Sequence, residues 1–166
     1  MNEINVSTAA SGKTAMTNII KRYFSNPSSS EDYGGTSKFY PAADLNKIKQ
    51  LEKALSIKFP EDYTAFLLST NGYDGKIGQS YSIFIQVEKI EKYTKDYGGE
   101  FFPWIVFIGT DGGNEMYVID TRDEKIAFGI LPYIGDENDF ISLGSTFEKF
   151  VGHLYHNDFW KNKSGS

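Results

Sequence analysis

The side chains best suited to chemistry surround a glycine-rich turn in the middle of the chain. The stretch TDGGNE carries Asp111, Asn114 and Glu115, and Asp120 closes the apolar segment that follows. Neighbouring carboxylates can act as general acid and base, or as oxygen ligands of a hard cation. Side chains alternate along a strand, so Asp120 is predicted on the face opposite to Glu115. The pattern therefore favours turn-forming residues with a partner-binding surface over a catalytic or metal cluster.

Two other groups of residues suggest chemistry less strongly. His153 and His156 are close enough on a predicted helix to share a metal ion, but no third ligand is evident, and a solvent-facing helix is favoured. Gly12-Lys13-Thr14 resembles the end of a phosphate-binding loop. That loop requires a glycine where Ser7 stands and a strand before it, and both are missing from the sequence. We therefore predict no catalytic residues, no metal and no cofactor.

A hairpin over residues 101–120 is the predicted centre of the fold. Trp104 to Ile108 is a continuous apolar run, typical of a strand that is covered on both faces. Thr110 to Asn114 contains residues that tolerate a positive φ, so the chain can reverse there. A further strand is predicted from Lys125 to Leu131, and another, after a glycine-rich loop that follows Gly72, from Tyr81 to Val87, because apolar residues alternate in both segments.

Apolar residues at helical spacing predict helices on either side of this hairpin. The predicted helices are a first helix over Ala15–Phe24, a second helix capped by Asp44, a third helix that starts at Pro60 and is stopped by Asn71-Gly72, a fourth helix over Glu88–Tyr97, and a last helix with a capping box from Ser145 to Glu148. This order of elements predicts the α+β class, with an antiparallel or mixed sheet flanked by helices.

The length of 166 residues suits one domain. We expect an N-terminal extension with one short helix and a loop over 1–40, an α+β domain over 41–160 and a polar tail over 161–166. The sequence has no cysteine, which excludes disulfides and thiolate chemistry. It also shows neither a signal-peptide pattern in its first 25 residues nor an apolar run approaching the ~20 residues of a membrane span. A cytoplasmic protein without a membrane anchor is expected.

Charge is distributed unevenly along the chain. Residues 44–95 carry 8 Lys against 7 acids, whereas residues 96–158 carry 12 acids against Arg122, Lys125 and Lys149. An acidic surface repels phosphate backbones, so direct nucleic-acid binding is disfavoured and a basic protein partner is favoured. Solubility alone is the simpler explanation of such a surface.

Three segments resemble the signatures of the SUKH superfamily, also called Smi/Knr-like. Ile48 to Gly72, IKQLEKALSIKFPEDYTAFLLSTNG, is similar to its first motif, with Phe59 in place of the usual leucine before Pro60. Ile108 to Asp120, IGTDGGNEMYVID, resembles the second motif. Ile141 to Leu154, ISLGSTFEKFVGHL, resembles the closing motif. Together they cover about residues 40 to 156 in order.

The resemblance implies an α+β module without catalytic activity. Bacterial members are mostly immunity proteins that bind and neutralise a cognate toxin, often a nuclease, and fungal relatives act in cell-wall signalling. A cognate toxin with a basic nuclease domain is therefore the expected partner, and a small carboxylate-dependent hydrolase and a signalling scaffold are the alternatives. The residues expected to contact the partner lie in two acidic loops: Asp111, Asn114, Glu115, Asp136, Glu137 and Asp139.

Overall fold

The computed structural model describes residues 2–25 and 37–160, with side chains from residue 12 onward. Helices and strands follow one another without a βαβ alternation. In order they are α1 (Asn2–Tyr23), β1 (Lys38–Phe39), α2 (Leu45–Leu55), α3 (Glu61–Ser69), β2 (Tyr73–Ile77), β3 (Ser80–Phe84), α4 (Val87–Tyr93), a π-helical turn (Thr94–Gly98), β4 (Ile105–Thr110), β5 (Glu115–Asp120), β6 (Ala127–Pro132), a 3₁₀ turn (Glu137–Asp139), β7 (Ile141–Ser142) and α5 (Phe147–His156).

The described strands form one antiparallel sheet in which each strand pairs with its neighbour in the chain, in the order β1 to β7. The predicted α+β class is confirmed, and of the two predicted sheet types the antiparallel one is present. The central hairpin is also confirmed, with Ile105 opposite Asp120 and Thr110 opposite Met116. Both edge strands are only two residues long, which limits pairing with other chains.

Helices cover both faces of the sheet. On one face, α5 packs its Phe150 ring 5.4 Å from the ring of Tyr117 and 5.6 Å from that of Phe128. On the other face, the π-helical turn stacks Tyr97 on Phe107 at 5.2 Å. Because β4, β5 and β6 are covered on both sides, their interior residues are almost all buried, as the continuous apolar runs predict.

The first helix is longer than its apolar pattern predicts. It begins at Asn2, whereas the apolar pattern begins at Ala15. Met16 and Ile19 are buried there, and Phe24 bridges to Ile77 of β2. The loop predicted over residues 26–35 and the tail over 161–166 lie outside the described residues, and the domain boundary at residue 40 stays a prediction.

Two local predictions are wrong. Residues 73–77, which the sequence suggests are a loop, form β2 with Tyr73, Gly75 and Ile77 buried. The last helix starts one residue later than its predicted capping box, since Thr146 is the N-cap and its hydroxyl accepts the N–H of Lys149 at 3.2 Å. Ser145 therefore lies outside the helix.

No helix within the described ranges has both the length and the apolar character needed to cross a bilayer.

Candidate partner-binding site

The β4–β5 turn is shaped by Asp111. Its Oδ1 accepts the backbone N–H of Gly113 at 2.8 Å and that of Glu115 at 3.2 Å. Gly112 adopts a φ of 77°, which the reversal requires. The hydroxyl of Thr110 closes the turn from inside, donating to the Glu115 carbonyl at 2.8 Å. Asp111 thus has the predicted turn-forming role, and its carboxylate is held in one orientation.

The β6–β7 loop is also held by its own carboxylates. Oδ1 of Asp136 accepts the N–H of Asn138 at 2.8 Å, and Oδ2 of Asp139 accepts the N–H of Asp136 at 2.9 Å. These two bonds cap the 3₁₀ turn. The carboxylate of Glu137 projects from the turn with 64% of its side chain exposed, and one oxygen lies 3.7 Å from Nη1 of Arg122.

The two loops meet at the same end of the sheet. The N–H of Tyr133 donates to the Asn114 carbonyl at 3.0 Å, and Glu115 stands opposite Pro132 in the strand register. We call the predicted contact residues the turn group (Asp111, Asn114 and Glu115) and the loop group (Asp136, Glu137 and Asp139). The two loops leave the same end of the sheet, and Glu137 of the loop group also reaches Arg122, the partner of Asp120. That the two groups contact a partner stays a prediction.

Asp120 belongs to neither group. It lies at the far end of β5 and binds Arg122 through two contacts, of 3.0 Å to Nε and 2.9 Å to Nη2. The guanidinium also stacks 3.7 Å from the ring centre of Trp104. The hydrogen bonds that Arg122 donates to Asp120 raise the pKa of Arg122. Asp120 and Glu115 therefore do not converge, as strand alternation predicts.

A cleft opens beside the turn group, on the sheet face that α5 covers. Its volume is about 150 Å³, and it lies between the β4–β5 turn, the start of β3 and the segment that follows α5. Its principal walls are Tyr81, Asp111, Glu115, Tyr117, Phe159 and Trp160. The sequence gives no local signal for this cleft, because its walls come from segments far apart in the chain.

Hydrogen bonds fix the tyrosines of the cleft. The hydroxyl of Tyr81 donates to the carboxylate of Asp74, and that bond, with partial burial, raises the pKa of Tyr81 to about 12. The hydroxyl of Tyr117 lies 2.8 Å from that of Ser82, and burial raises the pKa of Tyr117. Both phenols are therefore neutral near pH 7 and form rigid walls.

The other sequence candidates do not form a site in the described residues. Nδ1 of His153 lies 3.0 Å from the carboxylate of Asp158, and this hydrogen bond lowers the pKa of Asp158. In the part of the chain that the structure describes, no three His, Asp or Glu side chains are grouped to hold a metal ion. Gly12 to Thr14 lie inside α1 and not in a loop after a strand.

An antiparallel meander covered by helices, with two acidic loops at one end, defines a small α+β module. Sequence comparison agrees with this architecture. The chain belongs to the SMI1/KNR4 family (SUKH-1), whose family model matches residues 42–153. It is also similar to the uncharacterized protein YnaB of Bacillus subtilis (strain 168), with 34% identity over 121 residues that cover 68% of this chain and 76% of that protein.

Proposed function

We propose that this protein is a cytoplasmic immunity protein, not an enzyme, that binds and neutralises a cognate bacterial toxin with a nuclease domain. The observation that carries the proposal is the family match over residues 42–153. The SUKH resemblance implies immunity as the usual role of bacterial members. The charge pattern then gives the binding a physical mechanism.

Electrostatic attraction supports a nuclease as the toxin. A nuclease presents Lys and Arg to hold the phosphates of its substrate, so an acidic protein can engage the same charges. Residues 96–158 supply 12 acids, and Arg122, one of only three cations in this region, is paired with Asp120. The net charge of −5 also favours attraction to a basic partner. We expect the attraction to raise the association rate and to weaken as salt increases.

The two acidic loops supply the contact surface in this proposal. Glu137 and Asn114 are exposed, and the strands beneath them are fixed by ladder pairing on both sides. Loops on a rigid sheet can change in sequence without changing the fold, which suits proteins that meet different toxins. The carboxylates of Asp111, Asp136 and Asp139 are held by backbone N–H groups, so little side-chain entropy is lost when a partner binds.

The arrangement of the carboxylates supports binding over hydrolysis. General acid–base chemistry needs two titratable groups near one reacting atom. Glu115 and Asp120 lie at opposite ends of β5, and Asp120 is bound to Arg122. The carboxylate of Asp111 already accepts a backbone N–H of the turn that it shapes.

The test is a nuclease-protection assay with the nuclease domain of the cognate toxin, sought among the reading frames adjacent to this gene. Asp136→Asn, Glu137→Gln and Asp139→Asn together remove three charges and keep hydrogen-bond acceptors for the 3₁₀ turn. The matched control is Glu61→Gln, Glu100→Gln and Glu148→Gln, which removes three exposed charges outside the turn and loop groups. We expect wild type and control to protect and the loop variant to bind more slowly. If the folded wild-type protein fails to bind or protect against that domain, the proposed function is wrong.

A further inference from the structure

Three tyrosines group together on the sheet face opposite α5. The ring of Tyr97 lies 5.2 Å from that of Phe107, 5.1 Å from that of Tyr133 and 5.8 Å from that of Tyr93. Phe107 is buried, whereas Tyr97 is 43% exposed and the other two tyrosines are half-buried. We call Tyr93, Tyr97 and Tyr133 the tyrosine cluster. Tyrosine combines a large, rigid ring with a polar end, and it is enriched among the residues that dominate the energy of protein interfaces.

An exposed isoleucine directly follows this cluster in the chain. Ile134 is 96% exposed, the largest fraction among the large apolar side chains of the described ranges. The backbone on both sides of Ile134 is held in place. The N–H of Tyr133 is bound to the Asn114 carbonyl at 3.0 Å, and Gly135 packs so closely that a Cβ there would lie 2.6 Å from Oδ2 of Asp139. The loop therefore presents an apolar side chain to solvent from an ordered backbone.

Acidic residues surround Ile134 in the sequence. The segment 134–139, IGDEND, contains three acids and no cation, and we call it the acidic segment. The carboxylates of Asp136 and Asp139 accept backbone N–H groups of the same segment. A carboxylate that accepts such bonds keeps its negative charge and still attracts cations at a distance. The exposed apolar side chain thus stands in a negative field.

The cations that adjoin this surface are already paired with acids. Lys92 lies 5.6 Å from the ring centre of Tyr93, and its Nζ is 2.7 Å from the carboxylate of Asp96. The guanidinium of Arg122, which approaches the acidic segment, is bound to Asp120 at 2.9 Å. Neither cation therefore reverses the sign of the field.

Charge decides which kind of partner fits this surface. In a symmetric dimer the same patch of two copies would meet, so the acidic segments of both copies would face each other. Like charges at such a contact are unfavourable. Lipid headgroup surfaces of the cytoplasmic leaflet are also negative, and they would repel the acidic segment. A basic protein surface is the occupant that these charges favour.

We propose that Ile134 and the tyrosine cluster form the apolar centre of the interface with a partner that presents an apolar side chain between Lys or Arg residues. The acidic segment then lies at the rim of that interface. An apolar centre with a polar rim is the usual anatomy of a protein interface. The identity of the partner as a toxin domain rests on the proposed function. The chemistry of the surface does not, so the two can fail separately.

The surface is tested first with blocked peptides titrated into the full-length ¹⁵N-labelled protein at low salt. The peptide KKLKK should shift the amide signals of Ile134, Gly135 and Tyr97. It should bind about threefold or more tightly than KKGKK, which lacks the apolar side chain, and EELEE should bind more weakly than either. Ile134→Ser should abolish the preference for leucine, and Ile134→Met should retain it. The matched control is Phe101→Ser, which removes another exposed apolar residue, at 87% exposure, and should also retain the preference.

Any of three results would overturn the assignment. They are equal binding of KKLKK and KKGKK to wild type, binding of EELEE as tight as that of KKLKK, and a preference for leucine that Ile134→Ser retains. Sedimentation velocity adds a further test. A dimer of the wild-type protein that Ile134→Ser abolishes would assign the surface to a second copy of this chain.

The cognate toxin domain gives the second measurement. We expect Ile134→Ser to raise the Kd for that domain by about tenfold or more through faster dissociation. The salt dependence of the association rate should stay as in wild type, because no charge changes, and Phe101→Ser should leave the Kd unchanged. If Ile134→Ser binds as tightly as wild type, the apolar centre is assigned wrongly and the immunity function stands. If wild type does not bind the domain, the immunity function fails, and the peptide titration alone decides the chemistry of the surface.

Discussion

The carboxylate of Asp62, in the first turn of α3, caps the first turn of α5. Its Oδ1 accepts the N–H of Phe147 at 3.0 Å, and its Oδ2 accepts the N–H of Glu148 at 2.9 Å. These are two of the N–H groups that a helix leaves without a partner inside itself. Asp62 and Phe147 are 85 residues apart in the chain, so this bond connects two distant helices that cover the same face of the sheet.

Removal of this cap should destabilise the whole domain. Asp62→Ala deletes two charge-assisted hydrogen bonds, and we expect it to lower the free energy of unfolding by about 1–3 kcal/mol. Glu61→Ala is the matched control, because Glu61 is the neighbouring acid in the same helical turn. Urea titration followed by circular dichroism measures both variants. Equal losses would mean that the effect comes from the charge at the start of α3 and not from the bonds to α5.

The start of α5 gives a second prediction. Thr146→Ala removes the side chain that caps the helix and should cost about 0.5–2 kcal/mol. Ser145→Ala leaves that cap intact and should cost less. The two urea midpoints decide between the positions, and a greater loss for Ser145→Ala would place the cap at the residue that the sequence pattern suggests.

Two tyrosines of the core are expected to change the stability in opposite directions when each is replaced by phenylalanine. The hydroxyl of Tyr63 is fully buried and has no hydrogen-bond partner among the described residues, whereas that of Tyr117 is bonded to Ser82. Tyr63→Phe keeps the ring contacts with Phe59 and Phe147 and removes an unsatisfied polar atom, so we expect stabilisation of about 1 kcal/mol or more. Tyr117→Phe should destabilise by about 0.5–1.5 kcal/mol. Thermal and urea unfolding measure both, and a loss of stability in Tyr63→Phe would contradict the absence of a partner.

Glu88 should contribute a pH-dependent part of the stability. Burial alone would raise its pKa, but the hydrogen bonds from Asn71 and Lys47 outweigh burial and lower it. A carboxyl group whose pKa is lowered by folding stabilises the fold above its unfolded pKa, and this contribution is lost as the pH falls through the folded pKa. Glu88→Gln should therefore lower the free energy of unfolding more at pH 7 than at pH 3. Urea titrations at the two pH values provide the measurement, and an equal difference at both would exclude the lowered pKa.

Much of the fold follows from local patterns in the sequence, and the predictions that were wrong failed for physical reasons. Asp44 caps α2 and Ile48 is fully buried, as helical spacing predicts. The missed strand β2 contains Gly75, which hides the apolar alternation. Glycine is needed there because a Cβ would lie 2.6 Å from the Tyr73 hydroxyl. In β3, Ser82 is buried although it is polar, since Tyr117 satisfies its hydroxyl, so the inward face is not the one that alternation suggests.

The site was less predictable than the fold. The turn-forming role of Asp111 follows from its neighbours in the sequence, because the bonds that it accepts are local. The meeting of the β4–β5 turn with Trp160 depends on how α5 packs on the sheet, through contacts such as that of Phe150 with Tyr117. No periodicity encodes a contact between segments so far apart. The SUKH resemblance predicts the family. It predicts neither the cleft nor the hydrogen bond between the β4–β5 turn and the β6–β7 loop.

The central claim is that this protein captures a basic toxin domain through its acidic end. The most direct test is the association rate constant with the cognate toxin domain, measured by stopped-flow fluorescence at low and high salt, with nuclease activity assayed on the same mixtures. We predict rapid association at low salt, a marked decrease as salt rises, and loss of nuclease activity whenever the complex forms. An association rate that does not change with salt, or a complex that leaves the nuclease fully active, would contradict the claim.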